Sequence, residues 1–338
     1  MTTNEQSIHL GVLGASLVVA VWVFGAQWRA NEPATHGVAH SPTTDQRSPL
    51  SIIPPGSAFL LSADLRTLLR SPLGAVIAER LGRSAGTSSL VESCGFDPLT
   101  RLDQLALAVP SAKLGAQEHP EDFGIVARGR FNAAEIARCA EAAIAARGGE
   151  AIRTPHGSFE SVRDRSGSGG EIASKDGMVV VSGGSYFREL LNSAESPGGP
   201  DEQVVRDARH AELRRVLGPG PLLATWLLGE GWFERIAGGD TNARLSPLST
   251  LKALSARLDV GRTARLVVLL ECADGESALR ISSLLGELRS SLDALPLDPA
   301  LAGMAMRITV SQTGARLKLE LELKQAELSP VLDTLLGP

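Results

Sequence analysis

Aromatic residues are scarce in this chain, with one tyrosine, four tryptophans and eight phenylalanines in 338 residues. The bases of a single strand need ring platforms to stack on, and so few rings do not supply a series of them. Excess positive charge is missing as well: 33 lysines and arginines face 38 acidic residues, for a formal net charge of −5. Without a basic footprint, no nucleic acid is expected as a partner. Cysteine is limited to Cys94, Cys139 and Cys272, too few and too scattered for a disulfide scaffold, and no C-x-x-C pair exists. Cys139 falls on the apolar side of a predicted helix and reads as a small buried hydrophobe.

Dense catalytic motifs are also lacking. The sequence has no G-x-x-x-x-G-K-[ST], no H-E-x-x-H, no G-x-S-x-G and no dinucleotide fingerprint. Gly167, Gly169 and Gly170 lie between strand pieces rather than between a strand and a helix, so no helix dipole is aimed at a phosphate there. No cofactor and no metal is indicated.

What the sequence does contain begins with one long apolar run, residues 10–28, from Leu10 at one end to Trp28 at the other. Nineteen residues without a formal charge make a helix of about 28 Å, close to the thickness of a bilayer's hydrocarbon core. The run fits an uncleaved single-pass anchor better than a cleaved signal, because residues 1–9 hold no lysine or arginine and Phe24-Gly25-Ala26 is a poor cleavage site. A short tail, one span and a long soluble body is the layout of a signal anchor. The body is therefore expected outside the cytoplasm, although the flanking charges Arg29 and Arg47 weakly favour the opposite orientation. Residues 29–55, with Pro33, Pro42 and Pro49 among polar residues, read as an extended tether.

The clearest pattern lies near the C-terminus. Leu317, Leu319, Leu321 and Leu323 alternate with Arg316, Lys318, Glu320, Glu322 and Lys324, the period of a strand with one buried and one wet face. Met304, Met306, Ile308 and Val310 predict the strand before it. Upstream, Leu254 to Val260 and Ala264 to Leu270 alternate likewise around Gly261-Arg262, a two-residue loop suited to a type II′ turn. Between these hairpins Asp274 caps a helix through Ile281, Leu284, Leu285 and Leu288. Residues 56–196 repeat this order in outline. They hold an apolar strand at 58–63, a strand at 105–109 and another at 123–130. A helix capped by Asn132 and Glu135 follows, then further strands, the Asp176-Gly177 turn and a helix capped by Ser185. The expected fold is α+β: two tandem modules, 56–196 and 197–338, of mostly antiparallel sheet with helices on one face, resembling a split β-α-β arrangement.

The candidate interaction face is the wet side of the second sheet: Arg257, Arg265, Arg307, Arg316, Lys318, Glu320, Glu322 and Lys324. Mixed charge there reads either as plain solvation or as a surface for a protein partner. Other candidates are the acidic loop around His119, His156 with Ser158 and Asp164, and His210 three residues after Asp207. Two functions remain open. One is a membrane-anchored extracytoplasmic binding or scaffold protein, held to the membrane through Leu10 to Trp28. The other is a hydrolase or metal-dependent enzyme whose site forms between the modules around one of those histidines.

Overall fold

The computed structural model describes residues 48–71, 94–110 except 97, 123–167, 170–196, 207–237, 243–291 and 299–324, with residues 74, 205 and 327. The expected anchor at 10–28, most of the tether, the His119 loop and the closing helix at 328–336 lie outside the described residues. No described helix is long and apolar enough to cross a membrane.

The first half runs α1 (Pro49–Ile52), β1 (Ser57–Asp64), α2 (Leu65–Arg70), α3 (Pro98–Arg101), β2 (Leu102–Pro110) and β3 (Gly124–Gly129). It continues with α4 (Ala133–Ala146), β4 (Ala151–His156), β5 (Phe159–Asp164), β6 (Glu171–Lys175), β7 (Met178–Ser182) and α5 (Gly184–Glu195). The second half runs α6 (Ala208–Leu217), β8 (Leu222–Leu227), α7 (Trp232–Ala237), a 3-10 helix (Ala243–Thr250), β9 (Leu251–Val260) and β10 (Thr263–Cys272). It ends with α8 (Gly275–Ser290), α9 (Pro299–Arg307), β11 (Thr309–Thr313) and β12 (Arg316–Lys324).

All twelve described strands belong to one antiparallel sheet, ordered β11-β12-β10-β9-β8-β1-β2-β3-β7-β6-β5-β4. The fold is α+β. Read outward from the centre, β1-β2-β3-β7-β6 and β8-β9-β10-β12-β11 have the same connectivity, and the first half carries the β4–β5 hairpin in addition. The two halves are not separate sheets. Their first strands pair antiparallel, with Leu60 opposite Thr225 and Leu61 opposite Ala224.

Helices cover both faces, which corrects the expectation of one. On β7, Val179 packs with Phe131 and Ile136 on the α4 side, while Val180 packs with Tyr186 and Leu190 of α5. On β10, Val267 packs with Leu217 of α6, while Val268 packs with Ile281 of α8. Neighbouring residues on a strand point to opposite sides, so each pair places its two helices on opposite faces. The apolar alternation on β12 correctly located one covered face. The helix on the other side left no such mark, because it rests on short apolar stretches and charged side chains.

Local chemistry explains most elements. Asn132 and Glu135 form a reciprocal capping box on α4, and Gly148 ends that helix region at φ +78°. Asp274 caps α8 by accepting from Ser277 N. Ser185 is not a cap: Gly183 holds that position and makes no side-chain bond. Residues 304–307, read as strand, belong to α9, since Pro299 at its start and the Ala-Leu-Ala run favour helix over the short Met-x-Met alternation. Gly261 does not take positive φ, so its loop is not type II′; Gly314, first in the Gly314-Ala315 loop, does at +58°. The tether also ends early, because Ile52 and Ile53 are buried in the core beneath a turn capped by Ser48.

Gly124 marks the tightest seat of α5 on the sheet. A Cβ there would meet Leu190 Cδ1 at 2.5 Å and the Tyr186 ring at 2.6 Å. Gly124→Ala is expected to cost about 1–3 kcal/mol by overpacking, read as a lower denaturation midpoint. An unchanged midpoint would show that α5 floats freely over β3.

Candidate functional site

The charged side of β9, β10 and β12 is built by strand register. Leu317 is fully buried and Leu319 packs towards α8, so Arg316, Lys318, Glu320, Glu322 and Lys324 project from the opposite side. Across the ladder, Glu320 stands opposite Val267, which itself stands opposite Arg257, and Glu322 stands opposite Arg265. Opposite charges interleave. Glu320 accepts from Arg265 and lies 3.0 Å from Lys318 Nζ, and these two cations hold its carboxyl below the usual range, Lys318 contributing most. Arg257 binds Asp259 at 3.0 Å and donates to the Leu217 carbonyl at 2.6 Å. Arg307 departs from the expected set. It ends α9 rather than lying on a strand, pairs with Glu327 and donates to the Glu322 carbonyl.

One end of this face is roofed by α6. Arg316 reaches Glu212 at 3.1 Å, and Arg209 reaches Glu271 at 2.6 Å. At the other end Arg265, Glu322 and Lys324 are exposed. The arrangement presents a rigid array of both signs. It offers no concentrated positive charge to an anion, and it is complementary to another mixed-charge surface.

The same helix clamps the junction of the two halves. Asp207 caps α6, and its second oxygen accepts from Gly56 N at 3.2 Å. His210 is fully buried, with Nδ1 2.6 Å from Thr225 Oγ1 and Nε2 2.8 Å from the Ser57 carbonyl. A carbonyl only accepts, so Nε2 carries the proton, and in the neutral ring Thr225 donates to Nδ1. Arg214 donates to Ser62, and burial lowers its pKa to about 10, leaving it charged at neutral pH. One α6 turn after another therefore touches β1 of the first half and β8 or β10 of the second. On the far face Phe59 and Trp226 meet edge to face at 6.3 Å across the same junction. The sequence signal for this clamp was the Asp207/His210 spacing, whose meaning depends on β1, some 150 residues away.

His156 lies elsewhere. Its Nε2 is 3.6 Å from Glu171, which accepts from the buried Ser161 hydroxyl. Ser158 donates through both N and Oγ to Glu195, at 2.9 and 2.6 Å, and Asp164 accepts from Ser166. His156, Ser158 and Asp164 thus turn to three different partners, so the structure does not bring them together as a triad. His210 does sit between the halves, but both ring nitrogens serve the clamp. A cleft of about 250 Å³ at the lower end of β1 and β2 is lined by Asp64, Arg66, Asp103 and Gln104. Its charges are engaged internally: Arg66 holds Asp103 in a two-pronged pair, and Asp64 caps α2.

Cys94 and Cys139 form a disulfide, with Cα atoms 4.2 Å apart, and Cys272 is buried and free. This corrects the reading of Cys139 as an inert apolar residue. The helical position was right, but its partner is 45 residues earlier, outside any periodic segment.

No family model and no curated protein matches the chain. Among solved structures, crystal form III of TP0453 is similar over 86% of this chain and 100% of that one, at 12% identity and a TM-score of 0.51. Crystal form IV of the same protein covers 85% and 97%, at 13% identity and a TM-score of 0.49. The likeness to form III is one of fold alone.

Proposed function

We propose that the chain is a membrane-tethered extracytoplasmic scaffold that receives a protein partner on the charged face of β9, β10 and β12. The observation that carries this reading is the far end of that face, which no other described helix roofs as α6 roofs the near end, and where Arg265, Lys318, Glu320, Glu322 and Lys324 stand on a rigid sheet. Such an array gives orientation and specificity through matched charge rather than a large apolar burial. The Cys94–Cys139 bond supports an oxidising compartment for the body, since such bonds persist outside the reducing cytosol. The apolar run at 10–28 supports the tether.

The test is capture from intact cells by cross-linking, followed by membrane purification of the full chain. Arg265→Glu, Lys318→Glu and Lys324→Glu together are expected to reduce recovery of the partner at least tenfold. Exposed ion pairs contribute little to stability, so the thermal midpoint should stay within a few degrees. Undiminished recovery would discard the face as the docking surface. A reporter fused after residue 336 that remains cytoplasmic would discard the extracytoplasmic placement.

A further inference from the structure

The two edges of the twelve-stranded sheet are unlike. β4 carries Pro155, which cannot donate to a further strand, and Arg153, held by Glu141 and Glu160. β11, Thr-Val-Ser-Gln-Thr, has no charge and no proline, and every residue in it is exposed. In the two-residue hairpin loop, the closing pair Thr313 and Arg316 exchanges hydrogen bonds, and bonded and non-bonded pairs then alternate. Thr309, Ser311 and Thr313 accordingly bond to β12, while Val310 and Gln312 turn their N–H and C=O groups outward. Among the described residues nothing pairs with that outer edge. Of the four described large hydrophobic residues with high exposure, Leu279, Met306 and Val310 belong to α8, α9 and β11, the elements at this end of the sheet.

We infer that β11 is a self-association edge, and that a second copy of this chain adds its own β11 antiparallel to extend the sheet across a two-fold axis. The strand is complementary to itself. In the register that overlaps all five residues, Val310 pairs with Gln312 of the second copy, Ser311 faces Ser311, and no like charges meet. The fold already contains one such junction, since β1 and β8, equivalent strands of the two halves of the chain, pair antiparallel at its centre. Five residues and three apolar side chains bury less than the roughly 800 Å² per partner of a lasting dimer, so the contact is weak in dilute solution and favoured by crowding on a membrane. This inference is independent of the charged face.

A cysteine at the two-fold tests it. Facing residues of a non-bonded antiparallel pair have Cα atoms about 4.5 Å apart, within disulfide reach. Thr309 and its counterpart are about 13 Å apart in the same register and out of reach. In membranes carrying the full chain, Ser311→Cys is expected to give a covalent dimer under mild oxidation, and Thr309→Cys at least tenfold less. Adding Val310→Pro removes an outward N–H without touching the β12 ladder and should abolish the Ser311→Cys dimer. Val310→Lys, which leaves the backbone unchanged, should weaken it at least fivefold if the proline variant misfolds. Equal cross-linking at both cysteines, or a Ser311→Cys dimer indifferent to Val310→Lys, overturns the proposal.

Discussion

His210→Ala is expected to lower stability by about 3–5 kcal/mol, a large part of the 5–15 kcal/mol typical of a folded domain. The substitution removes a ring that is wholly buried, takes the His210 donor from the Ser57 carbonyl, and leaves Thr225 Oγ1 only its 3.4 Å bond to the Leu60 carbonyl. Because those two groups sit on different halves, the loss falls on the junction rather than on either half. Denaturant titration followed by tryptophan emission reads it, with Trp226 reporting from the junction itself. A cost below about 1 kcal/mol would show that α6 rests on the seam without fastening it. Acid acts on the same residue. Burial holds the folded imidazole below its ordinary value, despite the help of the Ser57 carbonyl and Asp207, while Arg214 opposes protonation. The unfolded chain therefore binds the proton first. Stability is fully present above about pH 6.5 and falls as pH drops below it through the lowered folded value. His210→Gln should flatten that part of the pH profile; an unchanged slope would assign it to other groups.

Loss of the Cys94–Cys139 bond is the second large effect. The bond closes a loop of sequence separation 45, and constraining an unfolded chain by such a loop contributes about 4 kcal/mol. The double variant Cys94→Ser/Cys139→Ser, or reduction of the native chain, should shift the unfolding midpoint accordingly. Coincident unfolding curves with and without reductant would remove the bond from the account. Alkylation gives an independent reading. Cys272 is buried, and burial raises its thiol's pKa, so an oxidised folded chain should take up no label until it unfolds.

The parts of this fold that were legible in the sequence are those written in short-range periodicity. The β9–β10 hairpin, the capped α8 and the alternation along β12 each follow from side chains within a dozen residues of one another. The repeat of strand order was legible for the same reason, as a series of local patterns met twice. Other features depend on long-range pairing. Nothing near β1 announces that β8 will lie beside it, and nothing near Cys139 points to Cys94. Helices on the second face leave little mark in the sequence because α6 has a weakly apolar surface: its Leu213 and Leu217 pack inward, and much of the rest is charged. Around α9 the period of two is carried by only four residues, Met304, Met306, Ile308 and Val310, too few to outweigh the helix formers beside them. At the candidate site, seven of the eight charged residues fell on the expected side of the sheet. Arg307 did not, because it ends α9 rather than lying on a strand.

The position of β1 has a mechanical consequence. The first described strand, β1, lies at the centre of the sheet, with β2 on one flank and β8 on the other. A pull transmitted from residues upstream runs roughly along β1, so it loads two hydrogen-bonded ladders in shear at once instead of unzipping them one bond at a time. Under such a pull the described body would be loaded through a strand paired on both sides, and its outer strands would carry none of that load directly.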